Sequence, residues 1–551
     1  MKKKTIPVLV VVLALVVLAA VGLVTHLIVK YTPTRTRMNL SEYYGQPAEG
    51  EAVIILGTEI REERALVENG MVYLPIDLVN TYLNQRYYWD SYNQQVLYAT
   101  PSELTETAAS DEAGGDVWLK DGLAYLSLPF VQKYTDLDTY YYENPNRIAI
   151  QYSFTDVNTV MAASNTAVRT RGGIKAEVLT NVNAGDTLLL MTELENWDQV
   201  ATMDGFIGYI EKKRITGPQV QTFKRDFQQE AYTYLSREDA INLGWHQVMA
   251  AEANATLTET IQNISGMNVI SPTWFSVSDN AGNIISIASA DYVNQAHAAG
   301  LEVWGLVDNF SENMSTLEVL SSTSARQNLI QSLVTNALNV GMDGINIDFE
   351  YLKEEAGVHF LEFLRELSIE CHKNNLVLSV DNPVPEDFTS HYDRAEQGRV
   401  VDYVIIMGYD EHYSGSETAG SVASLPWVEK GIQDTLAEVP AERVINAIPF
   451  YSRIWKTTGG ALTSEAYGME QIQKFIAENK MDTYWDNSVG QTYAMVEKDG
   501  STYEIWVEDS ESIARKVQLI PQYGLAGVAE WKLGLETSDI WQVITENLKA
   551  S

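Results

Sequence analysis

Asn346, Asp348 and Glu350 form a row of polar side chains whose types and spacing suit acid–base chemistry. Single apolar residues separate them. Successive side chains of a β-strand point to opposite faces, so these three share one face if the segment is a strand. Two carboxyl groups about 7 Å apart in a poorly solvated place raise the proton affinity of at least one of them. Glu350 is the last of the row, and we predict it to be the proton donor.

The elements that must position this row form an alternating series of apolar strands and amphipathic helices. Strands are predicted at 241–248, 267–275, 301–310, 344–352, 376–384, 402–411, 444–451 and 525–533. Helical patterns such as 323–339 and 355–374 lie between most of them. The series predicts an α/β fold, a closed (β/α)8 TIM barrel over residues 229–551, with its chemistry at the carboxyl ends of the strands. The polar row then points into the lumen.

Two further features qualify this barrel. The longest gap contains a hairpin pattern with its turn at Asp499-Gly500, and we expect a small α+β insertion within about 456–524 that overhangs the barrel mouth. The alternative for the polar row is a solvated edge strand with its polar face in water. The position of the strand in the middle of the series disfavours that alternative.

The charge balance excludes one class of partner. The chain has 74 acidic and 38 basic side chains, a formal charge of −36. Six of the basic residues lie in the first 37 residues, which contain no acid, so the remainder carries −42. Such a surface is repelled by phosphate backbones, and we exclude nucleic-acid binding.

The sequence predicts neither a disulfide nor a metal or other cofactor. Cys371 is the single cysteine and lies in a helix-like stretch, so we interpret it as an inert core thiol. The seven His residues show no paired zinc spacing.

The amino terminus reads as a membrane anchor. Residues 6–24 contain no polar side chain, and the apolar run continues to Val29. Twenty-four helical residues span roughly 36 Å, enough to cross a bilayer. The cations Lys2–Lys4 favour a cytoplasmic start, so residues 1–37 predict a single-pass protein of a bacterial cell membrane with an extracytoplasmic body. The alternative is a cleaved secretory signal, which also exports the body.

An internal repeat occupies the first part of that body. Residues 68–100 align without gaps on 120–152, each copy reading as a turn, a strand, a helix and Tyr-rich strands. The matched positions include Gly70 and Gly122, Tyr73 and Tyr125, Leu74 and Leu126, Val79 and Val131, and Tyr82 and Tyr134. The stretch 38–155 resembles the amino-terminal domain of copper amine oxidases, a module of many exported bacterial proteins. It contains no His or Cys, so no copper chemistry is expected.

Residues 156–217 have the pattern of short strands joined by tight turns. The Gly185-Asp186 turn, Trp197 and the Gly205–Tyr209 segment resemble a bacterial SH3 domain. That resemblance implies a small all-β domain that contacts cell-wall peptides, and a plain spacer is an equal alternative. Residues 218–228 are predicted to be a polar linker.

The segment from Asp343 to Glu350 closely resembles the Asp-x-x-Asp-x-Asp-x-Glu signature of glycoside hydrolase family 18. The resemblance covers nearly all of 229–548. Further matches are Met407-Gly-Tyr409-Asp410, Pro449-Phe-Tyr451 and Ala529-Glu-Trp531. One position departs from the signature, since Asn346 stands where the family has Asp. Asn346 together with the Trp531–Gly534 ending is similar to the cell-wall and cortex-lytic branch of the family.

The resemblance implies a retaining glycosidase in which the 2-acetamido group of the sugar acts as the nucleophile. Glu350 would protonate the leaving oxygen, Asp348 would hold the acetamido N–H, and Tyr409 would steady the acetamido oxygen. Asp343 and Asn346 would support Asp348 by setting its position and ionisation. The implied substrate contacts are Trp531 as the floor under the sugar, with Asp410, Tyr451, Met407 and Trp274.

These roles imply hydrolysis of β-1,4-linked N-acetylglucosamine in peptidoglycan. Two alternatives stay open at this point. One is a chitinase or an endo-N-acetylglucosaminidase acting on other glycans. The other is a non-catalytic scaffold that binds glycans at the cell surface, which the presence of both Asp348 and Glu350 disfavours.

Overall fold

The computed structural model of the protein describes residues 5–549, so the Lys2–Lys4 flank used for the topology prediction lies outside the described residues. The chain divides into two units. The first holds most of the residues up to Gln229, and the second holds the residues from Glu230 onward together with Asp90–Asn93 and Leu97–Glu106.

The first unit begins with a long apolar helix, Thr5–Tyr31. Its segment Val8–Tyr31 is long and apolar enough to cross a membrane, and its large apolar side chains are exposed along the whole length. A helix of this kind fits either a membrane anchor or a signal sequence.

The internal repeat of the sequence is a repeat of structure. Each copy has a strand followed by a seven-residue helix, Ile76–Tyr82 in the first and Leu128–Tyr134 in the second. The turns before these strands have positive φ at both central residues, as a tight hairpin turn requires and as Asn-Gly and Asp-Gly adopt readily. One sheet has the strand order Val117–Lys120, Leu123–Ser127, Met71–Pro75, Glu59–Glu68, Glu51–Leu56, Asn146–Gln151, Asp138–Glu143, and a second sheet contains Tyr87–Asp90, Gln95–Ala99 and Leu104–Ala108. A short helix, Leu40–Tyr44, precedes both sheets.

Residues 157–221 form one antiparallel sheet. Its strand order is Val178–Val182, Thr166–Arg169, Ile207–Glu211, Trp197–Thr202, Thr187–Thr192, Val157–Ala162, Ile215–Gln221. The all-β character agrees with the prediction for this stretch. The last strand includes the first residues of the predicted linker 218–228.

Eight parallel strands in the second unit close into a barrel, as the sequence predicts. They are β1 (Ile241–His246), β2 (Val269–Val277), β3 (Glu302–Asp308), β4 (Gly344–Asp348), β5 (Val377–Pro383), β6 (Tyr403–Met407), β7 (Val444–Pro449) and β8 (Gly527–Trp531). Each pairs with the next, and β1 pairs with β8 to close the ring. A short strand, Ile284–Ser286, extends β2 antiparallel.

The helices around the barrel are Leu257–Ile261, Ala290–Ala298, Thr316–Ser321, Thr323–Val340, Gly357–Lys373, Arg394–Val400, Leu425–Leu436, Ser510–Tyr523 and Ile540–Leu548. The longest begins where the Ser322 hydroxyl accepts the Ala325 N–H and ends at Gly341, whose φ of 81° suits a left-handed cap. Apolar side chains fill both the lumen and the layer between strands and helices. Cys371 lies fully buried in the second layer, and burial raises the pKa of its thiol, which makes it unreactive.

The insertion is a five-stranded sheet with one helix, Met469–Asn479. Its strand order is Ala461–Gly468, Tyr451–Thr458, Ser501–Val507, Gln491–Lys498, Asp482–Asp486. The sheet begins at Tyr451, with only Phe450 between it and the end of β7, and ends at Val507, whereas the sequence placed the insertion at about 456–524. The earlier start follows from the absence of any turn residue between β7 and the inserted strand. The helix Ser510–Tyr523 belongs to the barrel.

Candidate active site

Strand β4 places the polar row in the barrel lumen. Asn346 is fully buried and Asp348 is 7% exposed. Ile345 and Ile347, on the opposite face of the strand, lie in the apolar layer under the helices. Glu350 follows the end of the strand by two residues and is half-buried at the barrel mouth. One face of β4 therefore carries the polar side chains of the site, and the other face carries the apolar side chains that pack under the helices.

Four neighbouring side chains fix the Asn346 amide in one orientation. Its Oδ1 accepts from Trp245 Nε1 at 3.0 Å and from Ser271 Oγ at 3.3 Å. Its Nδ2 donates to Ser379 Oγ at 3.0 Å and to Asp381 Oδ1 at 2.8 Å. An amide with all these partners stays fixed, since every alternative orientation leaves buried groups unsatisfied.

Asp348 occupies an environment that opposes its charge. Its Oδ1 is buried and has no hydrogen-bond partner within residues 5–549. Burial raises the pKa of its carboxyl well above the ordinary value, and the carboxyl groups of Asp381, Glu350 and Asp308 raise it further. An unpaired acid in this position is ready to accept a hydrogen bond from a ligand group such as an amide N–H.

The side chain of Asn309 holds the backbone of Glu350 at the mouth. Asn309 Oδ1 accepts the Glu350 N–H at 3.0 Å, and its Nδ2 donates to the Glu350 carbonyl at 2.9 Å and to Thr316 Oγ1 at 2.9 Å. Burial raises the pKa of the Glu350 carboxyl, and Asp410 adds to this effect. A carboxyl group with a raised pKa is suited to donate a proton near neutral pH.

Tyr409 faces the same group of acids. Burial raises the pKa of its hydroxyl well above the ordinary value, with Asp348, Asp381, Tyr451 and Glu350 adding to the effect. The hydroxyl therefore keeps its proton and serves as a hydrogen-bond donor. The Tyr451 ring centroid lies 6.4 Å from that of Tyr409.

Tyr451, the neighbour of Tyr409, lines an open cleft of about 360 Å³. Its lining includes Asp410, Tyr451 and Trp531, three of the predicted substrate contacts. Tyr451 donates its hydroxyl to Asp410 Oδ1 at 2.6 Å. Trp531 is half-buried at the end of β8, with its ring edge-on to Trp245, and so leaves part of its surface open to a ligand. Met407, also predicted, is half-buried at the end of β6.

Two predicted site residues lie elsewhere. Asp343 precedes β4 at the amino end of the barrel, where its Oδ2 accepts the Val303 N–H and contacts His297 Nε2, both at 2.8 Å. Five strand residues span about 16 Å, so Asp343 does not set the ionisation of Asp348. Trp274 is 2% exposed in the layer outside the barrel and donates to Asn254 Oδ1 at 2.8 Å. Alternation along β2 turns it away from the lumen, which corrects its assignment as a substrate contact.

The structure also places Asp308, Asn309 and Asp381 at the site. From the sequence, Asp308 is expected only as a strand-end residue that lines the cleft or packs, and neither Asn309 nor Asp381 is predicted. Asp308 and Asp381 end the lumen faces of β3 and β5, and Asn309 directly follows β3. A signal for the two acids was present, since each is an acid near the carboxyl end of a predicted barrel strand. The backbone contacts of Asn309 carry no sequence signal.

Comparisons with known proteins agree with this geometry. The model of the family Glycosyl hydrolases family 18 matches residues 283–536. The uncharacterized glycosylase YvbX of Bacillus subtilis (strain 168) is 28% identical over 296 residues, 51% of this chain and 85% of that protein. The cortical fragment-lytic enzyme of the same organism is 26% identical over 246 residues, 43% of this chain, and this chain spans 57% of its length. The solved structure of a chitinase from Chromobacterium violaceum ATCC 12472 has a TM-score of 0.51 at 25% identity and covers 57% of this chain and 100% of its own.

The family match includes β4 with Asp348, the segment after it with Glu350, and all the residues that line the cleft. It also includes Asn309, whose side-chain hydrogen bonds to the Glu350 backbone we call the Asn309 clamp. The closed parallel barrel, the acid row and these relatives agree with one another. The protein is a glycosidase whose barrel matches the glycosyl hydrolase family 18 model over residues 283–536.

Proposed function

We propose that this protein hydrolyses β-1,4-linked N-acetylglucosamine in peptidoglycan, outside the cytoplasm and close to the membrane. The observation that carries the proposal is the convergence of Glu350, Asp348 and Tyr409 at one barrel mouth, beside a cleft that Trp531 lines. No second carboxyl group is needed as a nucleophile if the sugar supplies its own acetamido oxygen.

In the first step Glu350 donates its proton to the glycosidic oxygen as the bond to the anomeric carbon breaks. The acetamido carbonyl oxygen attacks that carbon, which gives an oxazolinium ion and retains the sugar on the enzyme without a covalent bond to protein. Asp348 accepts the acetamido N–H and offsets the positive charge that develops on the ring. Tyr409 donates its hydroxyl to the acetamido oxygen and orients it for attack.

In the second step a water molecule attacks the anomeric carbon from the face that the leaving group vacated. Glu350 is now a carboxylate and accepts a proton from this water, so the enzyme returns to its starting state with the anomeric configuration retained. The Asn309 clamp supports both steps because the same carboxyl group must reach first the leaving oxygen and then the water.

Several features support peptidoglycan as the polymer. The relatives include a cortical fragment-lytic enzyme, and Asn346 departs from the chitinase signature in the way the cell-wall branch does. The long apolar helix Val8–Tyr31 suits an anchor that keeps the barrel at the outer face of the membrane. We assign 38–155 to an amine oxidase-like module, 156–217 to an SH3-like module that contacts wall peptides, and 229–551 to the catalytic barrel.

Chitin is the second candidate, favoured by the likeness to a chitinase structure. A digest of defined muropeptides beside chitooligosaccharides, followed by mass spectrometry, distinguishes the two. We expect cleavage of the muropeptide glycan on the reducing side of N-acetylglucosamine and slower turnover of chitooligosaccharides. Preferred turnover of chitooligosaccharides would assign the protein to chitin instead.

Glu350→Gln tests the chemistry. Removing the acid is expected to lower the release of reducing ends by about 10²- to 10⁴-fold. Glu355→Gln is a matched control, because Glu355 is an exposed acid in the loop that follows. Equal release by wild type and Glu350→Gln contradicts the proposal, and glycan binding without turnover in both identifies a scaffold.

A further inference from the structure

Asp381 lies beside Asp348 in the same layer of the lumen. Strands β4 and β5 pair in parallel, with Asn346 opposite Ser379 and Ile347 opposite Val380. The next position in this register sets Asp348 against Asp381, on strands about 4.8 Å apart. Asp381 is 2% exposed and Asp348 is 7% exposed. Two carboxyl groups are therefore buried side by side, each on the face that looks into the barrel.

The amide of Asn346 connects the two strands. Its Nδ2 donates to Asp381 Oδ1 at 2.8 Å, so one oxygen of Asp381 is fixed one layer below the level of Asp348. The family signature has a carboxyl group at position 346, on the same strand as Asp348. Here that position is a neutral amide, and the carboxyl group nearest to it is on β5.

Among residues 5–549, the titratable groups that face this pair are acids and phenols. From the end of β3 comes Asp308, whose Oδ1 accepts the Ser276 hydroxyl at 2.7 Å. Beyond β4 lies Glu350, and after β6 lies Tyr409. The hydroxyl of Tyr392 lies near the carbonyl oxygen of Phe349, and burial raises its pKa, with the charges of Glu350 and Asp348 adding to the effect. Two carboxylates this close without a cation do not ionise together, so the pair holds one proton.

We propose that Asp381 on β5 exchanges a proton with Asp348. In the family signature a carboxyl group at position 346, on β4, has this role. Before the sugar binds, the shared proton resides on either acid. When the acetamido N–H approaches, the O–H bond of Asp348 breaks and the proton forms an O–H bond with Asp381. Asp348 becomes the carboxylate that the oxazolinium step requires, with no proton released to solvent. This step rests on the proposed function.

Asp381 acts through Asp348 and is thus a positioning residue. A purely structural alternative is that it only accepts the hydrogen bond of Asn346. The two roles differ in one respect, since an amide at position 381 still occupies the space but does not take up a proton from Asp348.

The test uses three variants of the full chain: Asp381→Asn, Asn346→Asp with Asp381→Asn, and Ser379→Ala. Asp381→Asn is expected to lower kcat about tenfold or more with KM little changed. An amide N–H stabilises a carboxylate less than the O–H of a neutral carboxyl group does. The acid limb of kcat/KM reports the pH at which the pair, already holding one proton, takes up a second. In the wild type the Asp381 O–H stabilises the Asp348 carboxylate of the singly protonated pair. In the variant Asp348 therefore takes up its proton at a higher pH, and the acid limb moves up by roughly one pH unit.

The double variant returns the carboxyl group to β4 and is expected to restore most of kcat and the position of the acid limb. Ser379→Ala removes the other acceptor of Asn346 Nδ2 without changing the number of titrating groups, and the acid limb is expected to stay in place. An unshifted acid limb in Asp381→Asn, or a double variant no better than the single one, overturns the inference.

A measurement without turnover separates this inference from the proposed function. Carbon-13 NMR of labelled aspartate in the wild-type chain is expected to show two coupled titrations that become one in Asp381→Asn. Independent titrations overturn the inference even where the enzyme acts on another glycan. A wild type that shows coupled titration and no hydrolysis of peptidoglycan leaves the inference standing and rejects only the proposed substrate.

Discussion

Asn309 forms two hydrogen bonds with the backbone of Glu350, accepting its N–H at 3.0 Å and donating to its carbonyl oxygen at 2.9 Å. Glu350 lies beyond the end of β4, so no strand partner fixes it. The side chain of a residue that follows the neighbouring strand β3 substitutes for the missing sheet hydrogen bonds. The proton donor is thus held by side chain–backbone contacts at a point where the barrel itself provides none.

Asn309→Ala is therefore expected to reduce kcat by about 30-fold, since two part-buried hydrogen bonds to the Glu350 backbone are lost at roughly 1 kcal/mol each. The barrel fold should persist. Steady-state kinetics and a thermal melt measure the two effects. Asn313→Ala in the same loop is the matched control, because Asn313 is exposed. An equal loss of kcat in both variants would show that kcat depends on the loop as a whole and not on the Asn309 clamp.

Asp348→Asn is expected to abolish turnover and to stabilise the fold. The pKa of Asp348 is raised in the folded state, so the folded protein keeps a proton that the unfolded chain releases above about pH 4. Stability therefore falls as pH rises from about 4 toward the folded pKa. The amide removes the contribution of Asp348 to this dependence, while Asp381, whose pKa burial also raises, keeps its own. Tm of the variant should exceed that of the wild type by about 2 °C or more at neutral pH.

The difference should disappear only below about pH 4, where Asp348 is protonated in both the folded and the unfolded state. Melts at a series of pH values provide the measurement. A Tm difference that is constant across the series contradicts the raised pKa.

Tyr409→Phe removes the donor to the acetamido oxygen and keeps the ring. A loss of about 10²-fold in kcat is expected, as for the removal of one preorganised donor at a charged intermediate. Tyr413→Phe serves as control, because Tyr413 is 54% exposed in the loop that follows. If Tyr409→Phe retains full kcat, the acetamido oxygen is oriented by another group.

Gly408→Ala tests the position of Tyr409. A Cβ at residue 408 would lie 2.6 Å from the carbonyl oxygen of Ala447 and 3.0 Å from Asn446 Oδ1. Backbone must move to relieve such a contact, at a cost of about 1–3 kcal/mol. We expect a lower free energy of unfolding in urea and a lower kcat together. Gly115→Ala is the control, since a Cβ there meets no atom within 4 Å. Unchanged stability in Gly408→Ala would contradict the close packing of this turn.

The sequence predicts the barrel and the acid row because both are local patterns. Each barrel strand is an apolar run between turn signals, and the row in β4 alternates within five residues. The partner of Asp348 is not local. Asp381 is one acid in an apolar strand, and only the pairing of β4 with β5 brings it to the site.

The two misplaced residues follow from the same limit. Trp274 lies near a strand end, where site residues are common. The faces of β2 are set by Ser271, which reaches Asn346 in the lumen, so alternation sends Trp274 outward. Asp343 belongs to the signature, but β4 begins only at Gly344. Its side chain therefore bonds at the amino end of the barrel and ties β3 to β4 there.

The inserted sheet has no hinge where it joins the barrel. Tyr451 is both the first residue of that sheet and a wall of the cleft, tied to Asp410 through its hydroxyl. Any change in the size or tilt of the sheet therefore reshapes the groove in which a polymer lies, while Asp348 on β4 and Glu350 just beyond it stay where they are. Separate stretches of chain therefore determine which glycan is selected and how its bond is broken. A graft of the inserted sheet from a relative should transfer glycan selection and leave the bond-breaking step unchanged.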